Sequence, residues 1–577
     1  MKKGSRLFVY NCAMKKYRWQ ILIVCLTGLV VGLLLILERQ GGLLGDNGIH
    51  ASKGGIYTEA LVGSIQRLNP LFDSSNQADE DVDRLIYSGL IKFDSRGIAQ
   101  PDLASSWTIS RDGTIYNVVL KDKLTWHDGT ALTTDDVVFT TSLLSAGGEG
   151  ISTDLSKFWA DVKVIKLDDT HMQFVLPQSF APFMDYLTFG ILPKHLLDGK
   201  TLDQISSDKF NLQPVGSGPY KVESVDVEGE VIKGLTLAAF DNYAGDDPDE
   251  PYIQKIVIRY YADSQSAYQA YVDGYVQGVS EVTNDVLPGV LANDNLSLYS
   301  SRLPKLSMVM FNLNDSSVKF LQEQPVRSAL YLAINRESII NKVYNGQAIL
   351  ANGVIFPGTW AYLDNMTPVA FDPEQAEDLL KSNGYVVTGD TNPVRKNGDT
   401  ALEFVLSYPD DDLHRQIAEM IQKDWADINV NVTLEAVPVD KFLSDKLESR
   451  GYQAALVDLD FSGSPDPDPY PFWDQGQITG GQNYSQWSDR TVSDTLEQAR
   501  VSTDFNERVR LYHNFQYLFN EQDPALPLFY PVYNYAIDKQ VQGVSIGPLF
   551  SISERYDTVA KWFMVSERGT TGTETAK

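Results

Sequence analysis

The sequence predicts an α/β protein of several lobes. Three observations carry that expectation. Strand-like and helix-like segments alternate along the chain. At 577 residues and 43% hydrophobic content it can bury cores for about two to four lobes. No repeat or low-complexity block interrupts residues 56–565. Four segments, Thr114–Leu120, Met172–Leu176, Lys255–Tyr261 and Met308–Leu313, are rich in β-branched residues and have the period of half-buried strands. After Pro325 the period becomes helical, with Val326, Leu330, Ala333, Ile334, Ile340 and Val343 on one stripe. Pro325 suits a first helical turn and Asn345-Gly346 a stop. Asp372-Pro373 then opens a helix to Ser382, and Leu402–Ser407 is a strand. Leu413–Trp425 (helix), Asn431–Val437 (strand), Lys441–Glu448 (helix) and Tyr452–Leu459 (strand) continue the series. Such alternation predicts an α/β lobe with parallel strands.

The N-terminus concerns topology. Lys2, Lys3, Arg6, Lys15, Lys16 and Arg18 precede any acidic residue, and the uncharged run Ile21–Leu37 follows. That run reaches the lower limit of about 17 residues for a spanning helix, and Trp19 suits the interface. Residues 1–20 are therefore read as a cytoplasmic basic leader, 21–37 as an uncleaved, single-pass membrane anchor, and the chain beyond as extracytoplasmic. A cleaved signal fits less well, because its apolar region spans about 7–15 residues and ends in an A-x-A-like site. Here the run ends in Glu38-Arg39-Gln40. A lipoprotein signal needs a small residue before its Cys, and Val24 precedes Cys25. Residues 38–55 are Gly-rich and read as a flexible stalk, and 566–577 as a disordered tail.

Composition excludes several functions. The net charge of −28 argues against sequence-independent nucleic-acid binding. Cys12 and Cys25 are the only cysteines, so the exported part has no disulfide, thiol catalysis or Cys-ligated metal. The six histidines are dispersed, without H-E-x-x-H or an i, i+4 pair, and no cofactor or metal is expected. Gly543-Val544-Ser545-Ile546-Gly547 matches G-x-S-x-G, but Pro548 follows where that nucleophile turn needs a helix. No Gly-x-x-x-x-Gly-Lys loop is present, so the chain is not an ATPase, and no enzyme activity is expected.

Six blocks, in order, carry a family resemblance. Leu68-Asn69-Pro70 with Ile86-Tyr87-Ser88-Gly89-Leu90 is similar to L-x-P … Y-x-G-L, and Gln100–Trp107 to P-x-L-A-x-S-W. Trp126-His127-Asp128-Gly129-Thr130 and Asp135–Phe139 are similar to F-H-D-G … D-V. Gly216-Ser217-Gly218-Pro219-Tyr220 is similar to G-T-G-P-Y, and Val326–Tyr344, with Arg327, to V-R-x-A … A-I-D-R. Together they resemble the extracellular solute-binding proteins of the oligopeptide, dipeptide and nickel type. Trp126, Asp128, Gly129, Gly216, Gly218, Pro219, Tyr220 and Arg327 are read as structural, with Gly129 and Gly218 meeting turn geometry.

The resemblance implies a periplasmic-binding-protein-like clamp of two hinge-linked lobes with an additional α/β subdomain. Lobe I would comprise 56–90, 214–313 and the return 526–565; the subdomain 91–213; and lobe II 314–525. It further implies capture of a small molecule, an oligopeptide first, for an ABC permease and its ATPase by a monomeric chain. An oligosaccharide or other solute, or a peptide-sensing role with the same clamp, are the alternatives. Peptide-binding members hold the ligand's α-amino group with an Asp in an A-D-Y-x-D-P segment. The matching stretch here, Leu459–Trp473, puts Gly463 or Pro465 at that position, and neither can pair with an ammonium. Asp466, Asp468 or Asp474 is expected to substitute. Candidate ligand contacts are Asn76, Asp466, Asp468, Trp473, Asn483 and Tyr484, the aromatic and amide groups suiting peptide bonds or sugar rings alike.

Overall fold

The computed structural model describes residues 51–388 and 393–565. The expected leader, the anchor, most of the stalk and the tail lie outside the described residues. Among the described residues no helix is long and apolar enough to cross a membrane.

The first half begins with β1 (Ile56–Val62) and α1 (Gln77–Ile86), whose start is capped by Asn76 accepting the Ala78 amide. β2 (Ala104–Ile109), β3 (Ile115–Leu120), β4 (Lys163–Lys166) and β5 (His171–Val175) then form an antiparallel sheet of order β2-β3-β5-β4. Between its strands run α2 (Thr134–Ala146) and α3 (Thr153–Asp161), and Trp159 of α3 packs edge-on to Phe174 of β5. This is the additional α/β unit. The chain returns through β6 (Tyr220–Glu228), β7 (Val231–Ala239), β8 (Lys255–Tyr261), β9 (Gly278–Val279) and β10 (Leu296–Arg302). β8 lies parallel to β1, from Ile56 opposite Lys255 to Val62 opposite Tyr261.

Leu303 and Pro304 lead into the second half at β11 (Lys305–Phe311). The stripe after Pro325 forms two helices, α4 (Gln324–Leu332) and α5 (Arg336–Val343), because Asn335 turns its side chain to the Ser338 amide and caps the second. The expected helix opened by Asp372 follows at Pro373–Ser382. β12 (Glu403–Pro409), α6 (Asp412–Asp427), β13 (Asn431–Val437) and β14 (Ala454–Asp460) come next, with β12 parallel to both β13 and β14. The parallel pairing expected there is present, while β11 joins β14 antiparallel. The helix expected at Lys441–Glu448 is instead a short α turn, Val439–Phe442, running into a π-helix, Leu443–Glu448.

Two long helices, α7 (Arg490–Val501) and α8 (Phe505–Gln522), precede β15 (Ala525–Asp538). β15 pairs with β11 near its start and with β10 and β9 toward its end, joining both halves in one twelve-stranded sheet. Along β11, Leu306, Met308 and Met310 enter one core of the second half while Val309 and Phe311 enter the other. The molecule is thus a two-lobed α/β clamp with one extra sheet.

Candidate functional site

Two adjoining cavities lie between the first half of the chain and the loop that follows β14. One, of about 360 Å³, opens between α1, residues 188–190 and the loop that follows β14. The other, of about 510 Å³, lies between residues 180–189 and residues 460–472 of the same loop. Thr188, Phe189 and Gly463 belong to both, and each has the size of a ligand pocket. Phe180, Tyr186 and Phe189 face Phe461 and Phe472 across the second cavity.

The loop after β14 is held by charge. Asp466 accepts from both terminal nitrogens of Arg508 on α8, at 2.7 and 2.8 Å, and its backbone amide donates to Asp185, 3.1 Å across the cleft. Asp468 lies 3.1 Å from Arg500 of α7, whose guanidinium stacks 4.3 Å over the Tyr470 ring. Burial pushes the Asp468 carboxyl up to about 6, against the pull of Arg500. Asp185 is raised well above the usual range by burial and then by repulsion from Asp466. Of the three aspartates suggested for a ligand cation, Asp466 and Asp468 line the second cavity already engaged by arginines, and Asp474 is buried away from both cavities, accepting the Gly476 amide. Asp460, at the end of β14, is exposed, lines the same cavity and has Lys305 at 3.5 Å.

Trp473, Asn483 and Tyr484, suggested as cleft contacts, are placed in the interior of the second half. Trp473 packs edge-on to Phe519 at 4.7 Å. Asn483 has no exposed surface and donates to the Asp474 and Trp487 carbonyls. Tyr484 is buried beneath the Arg450 guanidinium. Asn76 works within the first lobe, donating to Ser64 O and Asp79 Oδ2 besides capping α1.

The motif residues read as structural occupy packed positions. Trp126 is fully buried, Tyr220 donates to Ile253 O, and Asp128 accepts the Thr130 amide and meets His195 at 2.8 Å. Gly129 has φ +86°, a turn conformation. Gly218 differs from the expectation: its need is closeness to the Ile86 backbone, where a Cβ would come within 2.7 Å, and Gly216 leaves only 2.0 Å. Pro219 lines the first cavity. Arg327 is buried and donates to the carbonyls of Leu321, Gln522 and Asp523. Ser545 lies exposed in an irregular loop, not on a strand-to-helix turn. Among the described residues no three His, Cys, Asp or Glu side chains converge to hold a metal ion.

Sequence reasoning passed over Asp185 and Asp460. Asp460 had a usable signal, since it follows a strand whose neighbours were expected to be parallel, and ligands bind beyond the carboxyl ends of such strands. Asp185 lies in an ordinary aromatic segment with no such mark.

Facing lobes, aromatic walls and fixed charges around ligand-sized cavities define a ligand-binding protein. The chain belongs to the bacterial extracellular solute-binding proteins, family 5: the model described as bacterial extracellular solute-binding proteins, family 5 Middle, matches residues 99–481. It is 27% identical to the dipeptide-binding protein of Escherichia coli (strain K12) over 84% of this chain and 91% of that one. To the oligopeptide-binding protein AppA of Bacillus subtilis (strain 168) it is 25% identical, over 89% and 92%. The structure of HbpA2 from Haemophilus parasuis superposes with a TM-score of 0.77 at 21% identity, covering 89% of this chain and all of that one, a likeness of fold. The protein is accordingly an extracytoplasmic solute-binding protein and not an enzyme.

Proposed function

We propose that the chain captures a peptide between its lobes and delivers it to the permease of an ABC importer. The observation that carries this reading is the pair of adjoining cavities meeting at Gly463, with aromatic walls and carboxylates from both sides. Relatives named dipeptide-, oligopeptide-, di/tripeptide- and glutathione-binding proteins support it. Lobe I is assigned to 56–90, 214–313 and 526–565, the extra subdomain to 91–213 and lobe II to 314–525. Residues 21–37 tether a monomer to the membrane, with the N-terminus inside and the permease and its ATPase as partners. Mass spectrometry of small molecules released from the full-length chain after mild extraction tests the cargo. Short peptides are expected, and a sugar or a metal chelate in their place overturns the peptide assignment. Cross-linking in membranes tests the partner: capture of a signalling protein without a permease would replace transport by sensing.

A further inference from the structure

The first cavity contains a feature that the peptide reading does not by itself explain. α1 carries four carboxylates, and three of them have donors. Asp79 accepts the Gln66 and Arg67 amides, Asp81 takes both terminal nitrogens of Arg555, and Glu80 accepts the Ser551 and Ser553 hydroxyls. Asp83 has none. It is only 3% exposed, it lines the cavity, and neither carboxylate oxygen meets a hydrogen-bond donor. The nearby Asn69 amide is already committed to Arg67 O. Asp73 and Glu80 line the cavity beside it. Of the two basic side chains in the lining, Arg84 donates to Asp557 at 2.8 Å, while Lys92 has no carboxylate of the described residues within 4 Å and acts on Asp102 only through its charge; five carboxylates, Asp73, Glu80, Asp83, Asp102 and Asp557, outnumber them.

A buried, unpaired carboxylate is costly, and folded proteins keep one where a partner arrives from outside. We infer that this cavity is a subsite for a primary ammonium group of the ligand, with Asp83 as its counter-ion and Asp73 and Glu80 beside it. The inference rests on the clamp reading above and locates the cation on lobe I, while the loop of lobe II presents Gly463 and two aspartates occupied by arginines. Burial raises both Asp73 and Asp83 well above the usual carboxylate range, and repulsion adds to it, from Glu80 and Asp79 on Asp73 and from Asp73 and Asp79 on Asp83. An incoming cation favours the ionised form of both and offsets that repulsion. An ammonium is favoured over a metal ion because the carboxylates do not converge in metal-holding geometry.

The ammonium can come from a peptide's α-amino end or from a lysine-type side chain, and the probes separate the two. The full-length chain in detergent is titrated with Ala-Ala-Ala, its N-acetyl form, N-acetyl-Ala-Lys-Ala and 1,5-diaminopentane, by calorimetry and thermal shift, alongside Asp83→Asn and Asp73→Asn. Asp83→Asn should weaken binding of the amine-bearing probes at least about tenfold. It should not lower the ligand-free melting temperature, because Asp83 makes no hydrogen bond to lose. A free-amine peptide that binds while its N-acetyl form does not identifies the α-amino group; binding of the acetylated lysine peptide identifies a side chain. Peptides that bind Asp83→Asn and wild type equally overturn the subsite and leave the peptide reading standing. Asp83-dependent binding of the diamine without any peptide binding supports the subsite and removes the peptide reading. Silence of every probe on the wild type overturns both.

Discussion

Arg508 is held in place by Asp466 and by the hydroxyl of Tyr512, 2.9 Å away, and burial would push its guanidinium down were Asp466 not there to hold it up. Removing one partner of such a pair strands the other charge. Arg508→Ala should therefore cost about 3–5 kcal/mol, read as a large fall in melting temperature. Asp466→Leu with Arg508→Met should recover much of it, because two buried charges are desolvated no longer. An unchanged melting temperature in the single variant would mean that Asp466 does not depend on Arg508. Gly216→Ala acts by steric contact, its new methyl meeting the Ile86 carbonyl. A loss at the upper end of about 1–3 kcal/mol is expected. The motif around Gly216 was visible in the sequence, but its reason was not, since Ile86 lies far away in the chain.

At the scale of elements, His414 binds α6 to β14. Its Nδ1 lies 2.7 Å from Asp411, the N-cap of α6, and its Nε2 lies 3.5 Å from Asp458 on β14. Burial alone would depress the imidazole, but Asp458 and Asp411 outweigh it and hold the pKa above the ordinary value. A raised folded-state pKa stabilises fully below the unfolded value near 6.5 and ceases to do so as pH rises through the folded value. His414→Gln should accordingly lower the melting temperature more at pH 5.5 than at pH 9. A pH-independent difference would exclude the imidazolium as the source. Elements themselves were legible wherever period and caps agreed: Asn431–Val437 and Lys255–Tyr261 have the predicted bounds, and the helix opened by Asp372-Pro373 begins there. The stripe from Val326 to Val343 read as one helix because periodicity is blind to the single capping Asn335. The π-helix at Leu443–Glu448 has no local signature of its own.

For the whole molecule, capture of a ligand between the lobes should raise thermal stability by mass action, by about 2.7 kcal/mol at a hundredfold excess over Kd. Small-angle scattering should show a smaller radius with ligand than without, if closure accompanies capture. Equal radii would mean that the lobes are already together. The two-lobed plan was readable from ordered motifs, whereas the cleft was not. Trp473 and Asn483 looked like contacts because aromatic and amide groups suit ligands, yet the same groups satisfy a core. Asp83 was hidden in the acidic run Asp79-Glu80-Asp81-Val82-Asp83, where nothing local marks which carboxylate lacks a donor.

β15 belongs to both halves at once, pairing with β11 at one end and with β9 and β10 at the other. Neither lobe can come apart without peeling this strand from its own partners. Deuterium should therefore enter the amides of Ala525–Asp538 only when the entire fold opens, and the strand should carry the slowest-exchanging amides on either side of the cleft.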